Sequence, residues 1–410
     1  MPRLRRTPRL LAALRSERRT LRQGVVALAL STAAGFAAGL ILSHITGTLE
    51  RLPGLLVLIP AAVGMRGTIF GALEARLGTD IHAGLFRVSL ERDGVLRDNV
   101  IVAVVTTLIA SAWLAVLAKA AATAFGDPSI SVVELFVISV VGGTLGSAVI
   151  LAFTVGLSVV SFRRGWDLDA VGTPMVTALG DAATLPTLFL AAFLVSNDLV
   201  TIVAAVICLA AVAWSIRVVW RSNRPAVRRI VVQMMGVIAL TPLLDIAAGG
   251  LLGHSQSQVI RDPGILILIP PFVSQSGALG GILASRLSSK IQLGLIRPGV
   301  WPDPLAWIDA AIVAILAVAT FLLVGGGATL LAELTTRSHP GALVMIGGTL
   351  LAGILLLPVI LLLSYVVAVA TVRAGLDPDD QSVPIITSSM DLAGVIALLL
   401  ALSVLGAFHG

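Results

Sequence analysis

Pro53-Gly54-Leu55-Leu56-Val57-Leu58-Ile59-Pro60 returns 210 positions later as Pro263-Gly264-Ile265-Leu266-Ile267-Leu268-Ile269-Pro270, and this return decides the fold. The offset holds outward in both directions. Downstream, Gly67, Gly71, Arg76, Leu77, Gly84 and Leu85 meet Gly277, Gly281, Arg286, Leu287, Gly294 and Leu295; upstream, Gln23 meets Gln233. Farther along, Asp169, Pro174, Thr177 and Asp181 meet Asp379, Pro384, Thr387 and Asp391. A repeat of this length records the duplication of a whole structural unit.

The unit is a membrane one. Hydrophobic residues make up 57% of the chain and charged residues only 12%, about half the share usual in a soluble domain. The apolar runs reach the ~20 residues that a spanning helix needs, and none shows the ten-residue alternation of a barrel strand. Helices are then the remaining way to satisfy the backbone in lipid. The spacing predicts five spans near 24–44, 54–77, 99–123, 131–160 and 171–195, repeated near 231–252, 264–287, 307–330, 341–371 and 382–405. The arginine-rich start, Met1 to Arg22, precedes an apolar run longer than a signal segment, so it is expected to flank an uncleaved first span.

An eleventh apolar run, near 199–220, belongs to neither repeat, and its role follows from parity. Five spans carry a chain across the membrane, so a directly fused second repeat would be inverted. One more crossing makes the repeats parallel, related by a pseudo-two-fold axis along the membrane normal. The expected division is a basic tail (1–22), a first repeat (23–197), a linking span with its basic loop (198–229) and a second repeat (230–410). Arginines cluster in the tail, in 76–97, at Arg163 and Arg164, in 217–229, in 286–297 and at Arg373. All of these fall on the cytoplasmic side if the N-terminus is inside, as the positive-inside rule requires. The arginines therefore report topology, and nucleic acid is not an expected partner. The single cysteine, Cys208, lies in an apolar run and cannot make an internal disulfide.

Asp181 and Asp391 sit about ten residues into the fifth span of each repeat, or ~15 Å along the helix, near mid-bilayer. A carboxylate there costs about 2.5–3.5 kcal/mol on insertion scales, which makes it a functional-site candidate. Thr177 and Thr387 lie one turn earlier on the same face. Pro174 and Pro384 each free a backbone carbonyl a turn before that. Carboxylate, hydroxyl and carbonyl together make an oxygen-rich face suited to a hard cation. Candidate pore-lining positions come from the second spans: Pro60, Gly64, Gly67 and Thr68 in one repeat, Pro270, Ser274 and Gly277 in the other. Their small residues serve close helix packing equally well. Arg66 lies inside the second span and has only Ser276 opposite it; Asp245 has Gly35 opposite it and no acidic counterpart. Asp167, Asp169, Asp377, Asp379 and Asp380 stand at helix N-termini, where acidic residues are favoured in any case. The histidines show no metal-ligand spacing, and no nucleotide-binding or hydrolase motif occurs.

At Asp167 to Asp181, at Pro60-Ala61-Ala62-Val63-Gly64-Met65-Arg66-Gly67 and at Ala284-Ser285-Arg286-Leu287-Ser288 the chain resembles the membrane domain of MgtE-type magnesium channels and their solute carrier family 41 relatives. The resemblance covers both repeats. It implies a cation pathway between the two repeats, where MgtE proteins use two subunits, and it maps the family's central acidic residue onto Asp181 and Asp391. The chain departs from the family in having Thr68 and Ala278 where an asparagine usually follows the second-span glycine. About twenty residues precede the first span, so the soluble sensor domains of MgtE channels are not expected.

The expectation is therefore a multi-pass protein of the cell membrane that is not an enzyme. Its partners are divalent cations and the lipid bilayer, its transported ion is most readily Mg²⁺, and it needs no cofactor. One chain suffices for the pathway. Two alternatives remain open from sequence: exchange of a divalent cation against Na⁺ or H⁺, and an intramembrane aspartyl protease using Asp181 and Asp391 as a dyad.

Overall fold

The structure, a computed structural model, describes residues 18–44, 52, 54–82, 84–89, 91, 94–126, 128–164, 168–221, 224–255, 262–292, 294–299, 301–375 and 378–407. Most of the basic tail, with Asp167 and Asp377, lies outside them. Among the described residues there are eleven α-helices and no strand. The first repeat supplies α1 (Arg18–His44), α2 (Leu55–His82), α3 (Val95–Phe125), α4 (Val132–Arg164) and α5 (Leu168–Ala192), with a 3₁₀ turn at Phe193–Ser196. The linking helix is α6 (Asp198–Arg221). The second repeat supplies α7 (Pro225–His254), α8 (Pro263–Gln292), α9 (Pro304–Leu334), α10 (Ala342–Arg373) and α11 (Pro378–Val404).

Among the described residues, nine helices are long and apolar enough to cross a membrane; in α1 and α5 the apolar stretches are shorter, Leu28–His44 and Leu179–Val195. Those two helices still run 27 and 25 residues, more than the ~20 that span a bilayer. The chain is an all-α polytopic membrane protein of two parallel five-helix repeats and one linking helix. Pro60, Pro242, Pro270, Pro271, Pro358 and Pro384 all lie inside helices that continue through them, each removing one backbone donor.

The repeats match in detail. α2 and α8 end in the same turn, with Gly84 at φ +70° and Gly294 at φ +71°. The amides of Leu85 and Phe86 donate to the Asp80 carbonyl at 2.9 and 3.1 Å, and those of Leu295 and Ile296 donate to Lys290 at 2.9 and 3.2 Å. Glycine takes this left-handed position without a side-chain penalty.

The first helices are exchanged between repeats. α1 packs on α8 and α5, and α7 packs on α2 and α11. Each is thus seated between its own fifth helix and the other repeat's second helix, as a pseudo-two-fold axis requires. Glycines set the approach. A β-carbon on Gly39 of α1 would come 2.5 Å from the Ile267 carbonyl oxygen, and one on Gly249 of α7 would come 2.6 Å from that of Val57. Both pairs are related by the offset of 210. Gln275 of α8 adds a hydrogen bond, its Nε2 donating to the Leu28 carbonyl of α1 at 3.3 Å.

α2 and α8 are the central helices, with Met65, Ile69, Phe70, Leu73, Leu77 and Phe272 fully enclosed. α6 is peripheral: it rests on α3 and α4 and turns Leu199, Ile202, Val206, Ile207 and Leu209 outward. An outward apolar face of this kind suits lipid.

The glycine contacts predict that Gly39→Val and Gly249→Val each lower the unfolding midpoint in detergent. The loss should exceed the ~1–3 kcal/mol of ordinary overpacking, because the clash is with backbone. Gly326→Ala, where nothing among the described residues lies within 4 Å, should not lower it. Thermal unfolding of the three variants checks this.

Candidate cation site

Asp181 stands thirteen residues after the start of α5, and Asp391 thirteen after the start of α11. Asp181 is 5% exposed and Asp391 is partly buried. Each turns toward the other repeat's second helix. The Asp181 carboxylate approaches Ser274 of α8, yet Oδ2 of Asp181 and Oγ of Ser274 are both buried without a hydrogen-bond partner. Asp391 faces Gly64 of α2, where a β-carbon would come 3.2 Å from its Oδ2. Ser274 and Gly64 are themselves related by 210, so these are one contact made twice. The two aspartates are close enough for their charges to interact.

A third carboxylate joins them. Asp245 of α7 is fully buried, and a β-carbon on Gly64 would meet its Oδ2 at 2.5 Å and its Cγ at 2.9 Å. Ser388 Oγ of α11 donates to Asp245 Oδ2 at 3.4 Å, while Oδ1 has no partner. Asp245 Oδ2 and Asp391 Oδ2 thus both face the one β-position of Gly64, at 2.5 and 3.2 Å. None of the three forms an ion pair among the described residues. Leaving buried carboxylate oxygens without partners is costly.

The other candidates fall around this centre. Thr387 donates its hydroxyl to the Pro384 carbonyl at 3.1 Å and lays its methyl against position 277, where a β-carbon would be 3.4 Å away. Thr68 is buried and bonds back to the Gly64 carbonyl at 3.2 Å. Pro60 and Pro270 are partly buried, and Gly67 meets no described atom within 4 Å. The side chains of Pro174, Thr177, Asp169, Asp379 and Asp380 lie outside the described residues. Among the described residues no group of three or more His, Cys, Asp or Glu comes close enough to grip a bare metal ion.

Asp245 is the residue that sequence reasoning undervalued, because its counterpart is Gly35 and the repeat pattern gives it no mate. The structure supplies the signal that was there to be read. Where α7 carries Asp245, α2 carries Gly64; where α1 carries Gly35, α8 carries Ser274. A β-carbon on Gly35 would come 2.7 Å from Pro271 Cα, so that corner is closed by backbone instead.

The family model of MgtE, described as a divalent cation transporter, matches residues 59–191 and 269–401. The two matches are again 210 positions apart, and both begin after the first helix of a repeat, so Asp245 falls outside them. Among curated proteins, solute carrier family 41 member 3 of Rattus norvegicus is 26% identical over 404 residues, covering 92% of this chain and 86% of that protein. Its Mus musculus counterpart is 26% identical over 391 residues, covering 88% and 78%. Solute carrier family 41 member 2 of Homo sapiens is 26% identical over 297 residues, covering 66% and 48%. No solved structure matches the chain.

The reciprocal sizes at positions 64 and 245 predict a compensating pair. Gly64→Ser alone should destabilise the protein, since its β-carbon overlaps the Asp245 carboxylate. Adding Asp245→Gly, which recreates the second corner's Ser–Gly combination, should restore most of the loss. A double-mutant cycle on the unfolding midpoint should give a coupling in the ~0.5–3 kcal/mol range of contacting residues.

Proposed function

The chain belongs to the MgtE family of divalent cation transporters, and we propose that it passes a hydrated divalent cation, Mg²⁺ foremost, along a pathway between its two repeats. One observation carries this reading: carboxylates from both repeats turn inward with no basic partner among the described residues. Intramembrane carboxylates are kept where an ion or proton needs them. Asp181 and Asp391 balance the charge of one dication, and Asp245 adds to the attraction on the α7 side. Few fixed ligands face the site, and Mg²⁺ gives up its water reluctantly, so the ion is held through its hydration shell. Hydroxyls of Ser274, Ser388 and Thr387 are suited to bond that shell, and Thr177 is the counterpart of Thr387 in the sequence. The small positions Gly64, Gly67 and Gly277 give it room.

One chain contributes both halves, so a monomer contains a complete pathway. The arginine clusters set the N-terminus on the cytoplasmic side of the cell membrane. The third carboxylate favours one alternative, exchange against Na⁺ or H⁺, because three negative charges exceed what one dication neutralises. Uptake into proteoliposomes with and without an imposed Na⁺ or pH gradient separates the two: a channel conducts without either gradient.

Asp181→Asn and Asp391→Asn should each cut divalent uptake by about an order of magnitude or more, as removal of a charge-assisted ligand worth upward of ~1.4 kcal/mol predicts. Near-normal uptake in both would return these residues to a structural role. A water-mediated site judges size and charge over ligand softness, so Mn²⁺ and Co²⁺ should compete with Mg²⁺ at comparable concentrations. Exclusive selection of Zn²⁺ in the same competition assay would overturn the hydrated-ion mechanism.

A further inference from the structure

Arg66, in the middle of α2, is 1% exposed. Its Nη2 donates to the Gly142 carbonyl of α4 at 3.1 Å, while Nε and Nη1 are buried with no partner. No carboxylate among the described residues pairs with it. Arginine keeps its proton inside proteins, so this is a full positive charge within the bundle. An enclosed charge costs several kcal/mol unless a counter-charge or water meets it.

The surroundings are arranged for the guanidinium and leave donors over. A β-carbon on Gly146 of α4 would come 3.2 Å from Arg66 Cζ, 3.3 Å from its Nε and 2.8 Å from Thr187 Oγ1 of α5. Gly143 lies between Arg66 Nη2, 4.0 Å from its β-position, and the hydroxyl of Ser111 on α3. Ser111 Oγ is also buried without a partner. Thr187 spends its hydroxyl proton on the carbonyls of Ala183 and Thr184, at 2.9 and 3.0 Å. Two guanidinium nitrogens and one serine hydroxyl therefore remain, and no carboxylate among the described residues pairs with them.

The second repeat fills the corresponding positions without a charge. The offset replaces Ala62, Arg66, Ser111 and Gly146 by Phe272, Ser276, Phe321 and Leu356. There the rings of Phe272 and Phe321 pack 4.9 Å apart, and Phe321 presses on Gly353, the counterpart of Gly143. Ser276 closes its hydroxyl onto the Phe272 carbonyl at 2.8 Å. Aromatic packing fills this chamber and leaves no donor unused.

We propose that Arg66 and Ser111 hold a small monovalent anion of the halide class, chloride in solution, inside the first repeat where α2, α3, α4 and α5 meet. One positive charge and three spare donors suit a halide better than a divalent oxyanion. Arg66 is two residues from Gly64, about 200° around the helix, so the anion lies on the face of α2 turned away from the carboxylates. It neutralises Arg66 where no side chain does and ties α2 to α4.

The test uses the full chain purified in detergent in a gluconate buffer, with chloride or bromide titrated in at constant ionic strength. A site-bound halide stabilises by mass action, so the unfolding midpoint should rise by several degrees and saturate. Crystals grown in bromide should show one anomalous peak beside Arg66. Arg66→Met and Ser111→Phe, the latter installing the second repeat's residue, should abolish the response. Asp181→Asn and Asp391→Asn should keep it, which separates this site from the cation reading. A wild-type protein indifferent to halide, bromide density absent at Arg66, or a response that survives Arg66→Met overturns the proposal. If neither Arg66→Met nor Ser111→Phe folds, the wild-type bromide density decides alone.

Discussion

A carboxylate removed from water, with no basic partner among the described residues, is the constraint on which the rest of this structure depends. Asp181, Asp245 and Asp391 sit among helices whose other residues are almost all apolar, and each needs oxygen or hydrogen donors that the apolar majority cannot give. Ser388 meets part of that need at Asp245, and the missing side chain at Gly64 makes room for the carboxylates of Asp245 and Asp391. The facing helices must come close for this to happen, and the exchange of α1 and α7 brings them close. Backbone contact at Gly39 and Gly249 seats each first helix against the opposite repeat. The packing that joins the repeats is thus the packing that delivers Asp245 to the centre. Fold and site are specified by the same few small residues.

The helices, the duplication and the paired aspartates were legible because each leaves a mark along the chain. Apolar runs declare spans, a constant offset declares repeats, and an isolated charge in an apolar run declares itself by contrast. Parity even assigns α6 its place as one added crossing. The exchange of first helices left no such mark. Nothing in the order of residues says whether α1 packs on α2 or on α8, because two apolar helix faces are chemically alike in lipid. Asp245 was undervalued for the same reason, since its neighbours are set by that exchange. Arg66 was conspicuous in the sequence, but only the glycines of α4 and the aromatic plug in the second repeat give it a context.

The two repeats share a backbone and differ in where they put charge. At the ends of α2 and α8, Arg76 donates from Nε to Asn99 Oδ1 at 2.9 Å, while Arg286 and Lys290 both bond Asp309, at 2.9 and 2.6 Å. The counterpart of Lys290 is Asp80, so the acidic residue has moved from α2 to α9 and a basic one has taken its place. At Arg66 against Ser276 and at Asp245 against Gly35, the asymmetric charge is matched by a change of size in a facing helix, Gly146 against Leu356 and Gly64 against Ser274.

That asymmetry has a consequence for oligomeric design. In a two-fold assembly of identical subunits every charge near the axis occurs an even number of times. Asp245 beside Asp391, with Gly35 as its counterpart in the other half, therefore requires halves that differ. Tandem fusion supplies such halves, but only if both keep the same orientation in the membrane, and five spans alone would invert the second. α6 contributes little packing and no polar side chain to the centre. Its contribution is the one additional crossing. With that crossing made, the two halves are free to diverge, and an odd charge can stand at what was a symmetric site.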